Sequence, residues 1–397
     1  MKWNYSTGRI SLLLPLILSL VLTHWSCRPE RSEKETSELS NSTAAWHRTQ
    51  TEYAQTFELE YGDGYKLIHV KQPYPGATRP YTYLLLPHGQ PQPDSIMADA
   101  VVRVPVQRII SLSTTHLPAL DMLGESDKLT GFAQAGFISS PAQRSRLEQG
   151  ALTDIGSTQG LNPEQILSLQ PDLIMAYGMG PDDGTLQVLD RTGVPVLLNA
   201  DFLETSPLGR AEWIKFTGAL LNKEREADSV FQQIVHRYDS LKSLTQNVAQ
   251  RPEVFSGIVY GDIWYVPGGK SWAAQFLADA GASYLWSDTE ASGSVPLSFE
   301  QVFAKAHDAP YWINTADFSS LQALTAADER YKRFRAWQQE QVYTYTNKIN
   351  NTGGNEYLEL GYARPDMVLA DLIKILHPEL MEGHELYFYK RLPLTQQ

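Results

Sequence analysis

Two segments, one in each half of this chain, repeat the same helix start, and this repeat constrains the fold more than any other feature. They are Leu161-Asn-Pro-Glu-Gln-Ile166 and Leu297-Ser-Phe-Glu-Gln-Val302. Asn162 and Ser298 suit the N-cap of a helix, and a glutamine follows each in the capping-box position. The leucine before each cap can pack against the aliphatic residue that closes the segment. The repeat therefore predicts two lobes of similar design.

Strands and helices alternate from Val104 onward, which predicts mostly parallel sheets with helices on their faces. Each half of this region opens with a buried strand, a loop and a helix that ends at a glycine. The two opening strands are predicted over 108–113 and 254–260, their helices over 117–123 and 272–280, and later strands over 173–177, 194–198 and 311–313.

Lys223 to Thr245 is predicted to form one long helix between the two halves. Apolar residues recur at helical spacing from Ala227 to Leu241. A helix of this length would extend for roughly 35 Å, about the diameter of a small domain. It can therefore bridge two lobes.

The first residues have the build of a secretory signal. Lys2 and Arg9 give a positive start, Ile10 to Leu22 is apolar, and Ser26 precedes Cys27. The apolar run is shorter than the roughly 20 residues that span a bilayer, so we expect export; a permanent transmembrane anchor is the alternative. Cys27 is the only cysteine, which excludes an intramolecular disulfide, and its place resembles the acylated cysteine of bacterial lipoproteins.

The composition of the chain changes between this signal and Val104. A stretch rich in Ser, Glu and Thr has no hydrophobic periodicity, which indicates a tether. Alternating apolar residues and a Gly62-Asp-Gly64 turn then predict strands, which could form an extra sheet on the first lobe, a spacer or a contact for another envelope protein. The predicted segments are a lipoprotein signal (1–27), a flexible tether (28–50), a β-rich extension (51–103), an N-terminal lobe (104–221), a spanning helix (222–246) and a C-terminal lobe (247–397).

Composition and motifs exclude several functions. The formal net charge is −12 and the sequence contains no basic stripe, which argues against a nucleic-acid partner. No G-x-S-x-G elbow, P-loop or H-E-x-x-H helix occurs, so we expect no enzyme; an unfamiliar hydrolase using Asp182 or Asp183 is the alternative. The nine histidines are scattered without the spacing of a zinc site, so we expect no resident metal or cofactor.

The stretch Leu161 to Ile174, together with Thr192-Gly-Val-Pro-Val196 and the long helix, resembles the periplasmic binding proteins of ABC importers for iron chelates and corrinoids. The likeness runs from about Val104 to Pro378. It implies an α/β fold of two Rossmann-like lobes joined by one rigid helix, with a ligand cleft between the lobes. It also implies that Glu164 and Glu300 dock onto arginines of the permease dimer. The alternative is that each glutamate only favours its own helix start, by up to about 1 kcal/mol.

Ligands of open α/β sheets bind beyond the carboxyl ends of the strands. Aromatic side chains there could stack on a bulky ligand, and Lys270 or Arg364 could pair with its anionic groups. Trp272 could instead belong to the core, and His116 could bond to nearby backbone rather than to a metal. The predicted ligand-binding residues are Ser113, Thr114, His116, Phe137, Thr158, Tyr177, Met179, Tyr260, Trp264, Tyr265, Lys270, Trp272, Tyr357 and Arg364.

These features together predict a monomeric, exported lipoprotein that is held at a membrane through Cys27 and faces the periplasm. We expect it to capture an iron complex, such as a siderophore or haem, and to deliver it to an inner-membrane permease. A corrinoid carrier is the alternative. Thr158 stands in a cleft loop where a stacking aromatic residue would have favoured a corrinoid, whereas Tyr177 could stack on either ligand.

Overall fold

The computed structural model describes residues 47–49 and 51–395, so Cys27 and the predicted signal lie outside the described residues. The strands are β1 (His47–Thr49), β2 (Phe57–Gly62), β3 (Tyr65–Val70), β4 (Tyr81–Pro87), β5 (Ala100–Val104), β6 (Ile109–Ser111), β7 (Leu129–Phe132), β8 (Thr153–Asp154), β9 (Leu173–Ala176), β10 (Val196–Leu198), β11 (Glu253–Ser256), β12 (Val259–Tyr260), β13 (Ile263–Pro267), β14 (Ser283–Tyr284), β15 (Ser294–Leu297), β16 (Tyr311–Ile313), β17 (Val342–Thr344) and β18 (Lys390–Arg391).

The α-helices are α1 (Leu117–Met122), α2 (Pro141–Glu148), α3 (Pro163–Ser168), α4 (Gly184–Asp190), α5 (Pro207–Ala211), α6 (Ile214–Leu221), α7 (Glu224–Thr245), α8 (Trp272–Asp279), α9 (Phe299–Ala306), α10 (Leu321–Ala327), α11 (Arg335–Gln338), α12 (Glu356–Ala363) and α13 (Pro365–Leu376). Short 3-10 helices cover Thr114–His116, Ser126–Lys128, Ala135–Phe137, Thr158–Gly160, Asp201–Leu203, Glu329–Arg333 and Pro378–Met381. Within the described part of the chain, no helix combines the length and the hydrophobicity needed to cross a membrane.

The extension forms a five-stranded sheet in the order β1-β2-β3-β4-β5. Its strands are antiparallel except for the parallel pair β4 and β5. The predicted turn is confirmed, because Gly62 pairs with Tyr65 across the two residues Asp63 and Gly64. Gly64 has a φ of +78°. Two-residue hairpin turns require positive φ angles, and glycine adopts them without strain.

This sheet packs against the N-terminal lobe. The ring of Phe57 lies 4.5 Å from the ring of Trp213 and 6.2 Å from that of Phe216. The buried hydroxyl of Tyr83 accepts a hydrogen bond from the backbone N–H of Leu198 in β10, at 2.9 Å. Of the three roles that the sequence left open, the structure therefore supports an extra sheet on the first lobe.

The N-terminal lobe is built on a parallel sheet in the order β10-β9-β6-β7-β8. If the five strands β6 to β10 are numbered 1 to 5 along the chain, the order read from the β8 edge is 3-2-1-4-5, which is the order of a doubly wound fold. Its topological switch point lies between β6 and β9. The C-terminal lobe has the order β14-β11-β16-β17-β18, in which only β18 is antiparallel, and its switch point lies between β11 and β16. The predicted α/β class with two similar lobes is confirmed.

Four predicted strands are shorter in the structure, where those over 108–113, 173–177 and 194–198 become Ile109–Ser111, Leu173–Ala176 and Val196–Leu198. The strand predicted over 254–260 ends at Ser256, and the chain turns at Gly257, which has a φ of +85°. A Cβ atom at Gly257 would stand 2.0 Å from the carbonyl oxygen of Tyr265. The close approach of these two backbone segments therefore breaks the strand and starts the antiparallel sheet β12-β13-β15.

The long helix α7 joins the two lobes as predicted. It packs on α6 of the N-terminal lobe and on α13 of the C-terminal lobe. Lys215 forms an ion pair with Asp228 of α7 at 3.2 Å, and Tyr238 of α7 donates to Asp279 at 2.7 Å. With 22 residues the helix is about 33 Å long, and it is fixed to both lobes along that length.

Candidate functional site

Glu164 and Glu300 are exposed and occupy the second position of α3 and α9, as predicted. Asn162 accepts a hydrogen bond from the backbone N–H of Glu164 at 2.9 Å. Ser298 and Gln301 exchange hydrogen bonds of 3.2 and 2.8 Å, which is a complete capping box. The box is incomplete in α3, because the side chain of Gln165 donates to the carbonyl of Asp154 instead.

The two glutamates differ in their surroundings. Glu300 lies 3.5 Å from Arg330, but Arg330 makes a closer, 2.7 Å contact with Asp328, so 76% of the Glu300 side chain stays exposed. Glu164 forms no ion pair with any described residue. Both carboxylates are therefore presented to solvent at matching places on the two lobes.

The switch points place several predicted ligand residues at the carboxyl ends of the strands. In the N-terminal lobe, Ser113, Thr114 and His116 follow β6, while Tyr177 and Met179 follow β9. In the C-terminal lobe, Tyr260 follows β11 and is 80% exposed. Such an edge, with exposed apolar side chains above polar loops, has the character of a binding cleft for an organic ligand.

His116 is buried at the base of this edge. Its Nδ1 lies 3.0 Å from the hydroxyl of Ser111, and Ser113 caps the turn by accepting from the N–H of Thr115. Burial lowers the pKa of His116 to about 3, so the imidazole is neutral. Its Nε2 has no partner among the described residues. Those residues also contain no group of three or more His, Cys, Asp or Glu that could hold a metal ion.

Arg210 of α5 connects the N-terminal lobe with the C-terminal lobe. Its guanidinium lies 4.3 Å from the ring centres of Trp272 and of Tyr362, which both belong to the C-terminal lobe. Its Nε and Nη2 donate to the carbonyls of Glu204 and Phe202. Arg210 is not among the predicted site residues, because nothing in its local sequence indicates contact with two aromatic rings that lie far away in the chain.

A second contact between the lobes involves Glu359 of α12. Its carboxylate accepts from the backbone N–H groups of Ser139 and Ser140, at 2.7 and 2.8 Å. Asn350 donates to the carbonyl of Ile138 at 2.8 Å, and the hydroxyl of Thr352 donates to that of Gly136. The exposed ring of Phe137 thus lies in a loop that the C-terminal lobe holds.

The protonation of Glu359 is set by its burial. Burial raises the pKa of Glu359 to about 7, against the opposing effect of the hydrogen bonds from Ser139 and Ser140. Asp201, beside Arg210, is also buried, and burial raises its pKa to about 6 against the opposing effects of Thr115 and Arg210. Two carboxyl groups near the junction of the lobes therefore titrate close to neutral pH.

Backbone strain also concentrates at the carboxyl ends of the strands. Gln134, after β7, has a φ of +57°, and Asn314 and Ala316, after β16, have φ values of +64° and +59°. Such conformations are uncommon outside glycine and cluster at functional sites. No local sequence pattern marks the loop after β16, which therefore joins the predicted site residues as a candidate.

Other predicted residues have protein partners that the sequence could not indicate. Trp264 is fully buried among the rings of Phe255, Trp312 and Tyr331. Tyr357 is buried and stacks on Tyr345, with the ring centres 4.8 Å apart. In this conformation both rings are covered by protein.

The two predicted cations are also paired within the chain. Lys270 is exposed and forms an ion pair with Glu290, and Arg364 binds the carboxylate of Asp366 through two nitrogens, at 2.8 and 2.7 Å. Their roles toward an anionic ligand stay predictions, as do the roles of three further residues. Tyr265 is exposed on β13, Tyr177 lies 6.4 Å from Phe202, and the carbonyl of Thr158 accepts from Thr185.

The larger surface cavities lie elsewhere. One of about 620 Å³ lies between the extension and the N-terminal lobe, and another of about 740 Å³ lies beside residues 248–252 and 376–380. No predicted ligand residue lines either of them. Strand-end geometry and the strained loops favour the junction of the lobes, since cavity size by itself does not identify a binding site.

Comparison with known proteins places this architecture in a family. A family model described as periplasmic binding protein matches residues 109–349. An uncharacterized lipoprotein of Methanocaldococcus jannaschii is 26% identical over 299 residues, which are 73% of this chain and 69% of the relative. The vitamin B12-binding protein of Vibrio campbellii is 27% identical over 207 residues, which are 51% of this chain and 68% of that protein.

The fold is also similar to that of a solved structure. The structure of a possible iron-binding, periplasmic solute-binding protein from Staphylococcus epidermidis has a TM-score of 0.53 at 19% identity, and the match covers 69% of this chain and 99% of that chain. At this level of identity the similarity concerns the fold.

Proposed function

Because the chain belongs to the periplasmic binding protein family, we propose that it is the solute-binding component of an ABC importer that carries an iron complex, such as a siderophore or haem. The observation that carries the proposal is the pair of exposed glutamates, Glu164 and Glu300, at the same position of equivalent helices in the two lobes. A two-fold permease offers two equivalent basic sockets, and one carboxylate per lobe matches them.

The exposed apolar side chains at the strand ends support an organic ligand rather than a bare ion. Phe137, Met179 and Tyr260 are exposed there, and Tyr265 is exposed on β13, which pairs with β12. Rings and a thioether provide large contact areas for a bulky chelate. The metal would arrive within the ligand.

A corrinoid is the second candidate ligand. The relative from Vibrio campbellii carries the name of a vitamin B12-binding protein, and its match spans about half of this chain. Corrinoids and haem are both bulky and have flat faces, so the same cleft suits either.

A ligand titration tests the proposal. The chain lacking residues 1–27 is titrated with ferric siderophores, haem and cobalamin, and its tryptophan fluorescence is followed. We expect one of these ligands to bind, and Tyr260→Ala to weaken that binding up to about tenfold through loss of ring contact. Met97→Ala, an exposed side chain of the extension, should leave the affinity unchanged. Absence of binding to every ligand contradicts the proposal.

We also propose that Cys27 carries a lipid that holds the protein at a membrane in the periplasm. The relative from Methanocaldococcus jannaschii is named a lipoprotein, which supports this proposal. Cys27→Ala should release the protein into the soluble fraction, as measured by fractionation and immunoblotting. Retention of the variant in the membrane fraction contradicts the anchor.

A further inference from the structure

Two loops at the carboxyl ends of strands meet where the lobes face each other. Residues 134–140, the Phe137 loop, follow β7 in the N-terminal lobe, and residues 349–355, the Asn350 loop, lie in the segment after β17 in the C-terminal lobe. Both strands belong to parallel ladders. Both loops therefore lie at the edges where ligands of open α/β sheets bind.

The Asn350 loop has a fixed shape of its own. Ile349 and Asn355 form an isolated antiparallel bridge, and the backbone N–H of Asn350 donates to the carbonyl of Gly354 at 2.9 Å. The side-chain oxygen of Asn350 accepts from the N–H groups of Thr352 and Gly354, at 3.0 and 2.7 Å. Local bonds of this kind are typical of asparagine in turns, and they order the loop without a ligand.

The nitrogen of the same side-chain amide reaches the other lobe. Asn350 Nδ2 donates to the carbonyls of Ile138 and Gly136, at 2.8 and 3.3 Å. Gly354 lets the loops approach this closely, because a Cβ atom there would stand 2.5 Å from the carbonyl oxygen of Phe137. An amide both accepts and donates, so Asn350 can shape its own loop and hold the Phe137 loop at once.

The Phe137 loop is thus held by the opposite lobe along its length. Asn350 binds the carbonyls on either side of Phe137, and Glu359 accepts from the N–H groups of Ser139 and Ser140. The Phe137 ring itself is 47% exposed. An exposed ring on a fixed backbone offers contact area at a small cost in conformational entropy when a ligand packs against it.

We propose that Asn350 is a positioning residue for ligand binding. Without touching the ligand, it holds the Phe137 loop in the conformation in which the Phe137 ring packs against the ligand. The C-terminal lobe thereby fixes an aromatic contact that the N-terminal lobe provides. This inference rests on the proposed function of the cleft.

Asn350→Asp separates the two ends of the amide. The aspartate keeps acceptor oxygens for its own loop, but it loses the donor and places a negative charge beside two backbone carbonyls. The full chain, purified in detergent, is titrated with haem, cobalamin and a ferric hydroxamate, and its tryptophan fluorescence is followed. For the probe that the natural protein binds, we expect an affinity loss of at least about fivefold, because the Phe137 loop must then be ordered on binding.

Asn347→Asp is the matched control. Asn347 Nδ2 also donates to two backbone carbonyls, those of Leu386 and Tyr387, but both belong to the C-terminal lobe. Its loss removes the same kind of hydrogen bonds without releasing the Phe137 loop. The affinity of this variant should stay within about twofold of that of the natural protein.

A double variant tests whether Asn350 acts through Phe137. Phe137→Ala should weaken binding of the same probe by about tenfold, and Asn350→Asp added to it should cause less than about twofold further loss. Hydrogen exchange of the Phe137 loop in the ligand-free protein should be faster in Asn350→Asp than in the natural protein.

The outcomes separate this inference from the proposed function. If the natural protein binds a probe, then unchanged affinity in Asn350→Asp, an equal loss in Asn347→Asp or additive losses in the double variant each overturn the inference alone. Unchanged hydrogen exchange of the Phe137 loop in Asn350→Asp also overturns it. If the natural protein binds none of the three probes, the proposed function fails and the inference fails with it.

Discussion

Single side chains make the contacts that hold the two lobes together, and most of them are buried polar groups. Arg210 lies between Trp272 and Tyr362, and Glu359 binds the backbone at Ser139 and Ser140. Burying such polar groups without hydrogen-bond partners costs free energy, so the loss of one partner destabilises the contact between the lobes. They make the junction of the lobes a site where charge and protonation affect stability.

Glu359 should give the protein a pH-dependent stability. Its pKa in the folded protein is raised to about 7, so the folded state binds a proton that the unfolded state, with a pKa of about 4.5, has released. The stability that this proton contributes to the folded state is fully present below pH 4.5 and is lost as the pH rises through 7. The free energy of unfolding of the natural protein should therefore fall relative to Glu359→Gln by about 3 kcal/mol across this window.

Urea unfolding at pH 5, 6, 7 and 8 measures this difference for the natural protein and for Glu359→Gln. Glu382→Gln, which changes an exposed glutamate, is the matched control and should follow the natural protein at every pH. A constant difference between the natural protein and Glu359→Gln across the series contradicts the prediction.

The exposed glutamates should act on transport and leave ligand binding intact. Glu164→Arg and Glu300→Arg each place a cation where we propose an arginine of the permease, so uptake should fall by tenfold or more through repulsion. Affinity measured by fluorescence should stay within about twofold, since neither residue belongs to the loops that follow β6, β9 and β11. Glu382→Arg is the control with unchanged uptake, and normal uptake by the Glu164→Arg, Glu300→Arg double variant refutes docking through these residues.

At the scale of elements, two buried carboxylates of the N-terminal lobe hold residues 52–56, the segment that leads into β2 of the extension. Glu212 accepts from the backbone N–H groups of Glu52, Tyr53 and Ala54, at 2.8–2.9 Å. Glu204 accepts from the N–H groups of Gln55 and Thr56. Five consecutive amides outside a regular strand thus find acceptors on the N-terminal lobe, which fixes the segment before β2 to that lobe.

Glu212→Gln should destabilise the protein by about 3 kcal/mol. A glutamine has a single acceptor oxygen, so it leaves amides of residues 52–54 without partners, at roughly 1–3 kcal/mol for a buried amide such as that of Ala54. Urea unfolding measures the change. Glu226→Gln, an exposed glutamate of α7, should alter the stability by less than about 0.5 kcal/mol. A loss below 1 kcal/mol in Glu212→Gln would show that solvent replaces the carboxylate.

At the scale of the whole molecule, α7 governs how far the lobes can separate. It is a continuous helix that packs on α6 and α13, and the contacts of Arg210 and Glu359 add two further connections between the lobes. A helix held along its length bends little, whereas a loop hinge absorbs large changes of backbone angle.

Ligand binding should therefore change the overall dimensions of the protein only slightly. Small-angle scattering of the chain lacking residues 1–27, with and without the ligand found by titration, should give radii of gyration within about 1 Å of each other, because α7 stays intact. A decrease of several ångströms on binding would indicate a hinge and contradict a rigid connection.

Much of the fold follows from the sequence alone, because its signals are local. The apolar stripe of Lys223 to Thr245 depends on helical spacing, and the structure places α7 within one residue of that range. The caps at Asn162 and Ser298 and the turn at Asp63-Gly64 depend on a few neighbouring residues. The two lobes and the family resemblance follow from these local patterns.

The tertiary structure decided which side chains have partners, since those partners lie far apart in the chain. Trp264 and Tyr260 are aromatic residues of one short segment, yet Trp264 is buried in the core and Tyr260 faces solvent. Trp264 pairs with Val259 and Tyr260 with Ile263, so the two aromatic side chains lie on opposite faces of the sheet. Arg210 and Glu359 gave no local signal, because their roles arise from rings and amides that only the packing of the lobes brings near. The sequence by itself determined the elements and their two-lobed arrangement, whereas folding decided the buried polar contacts at the junction.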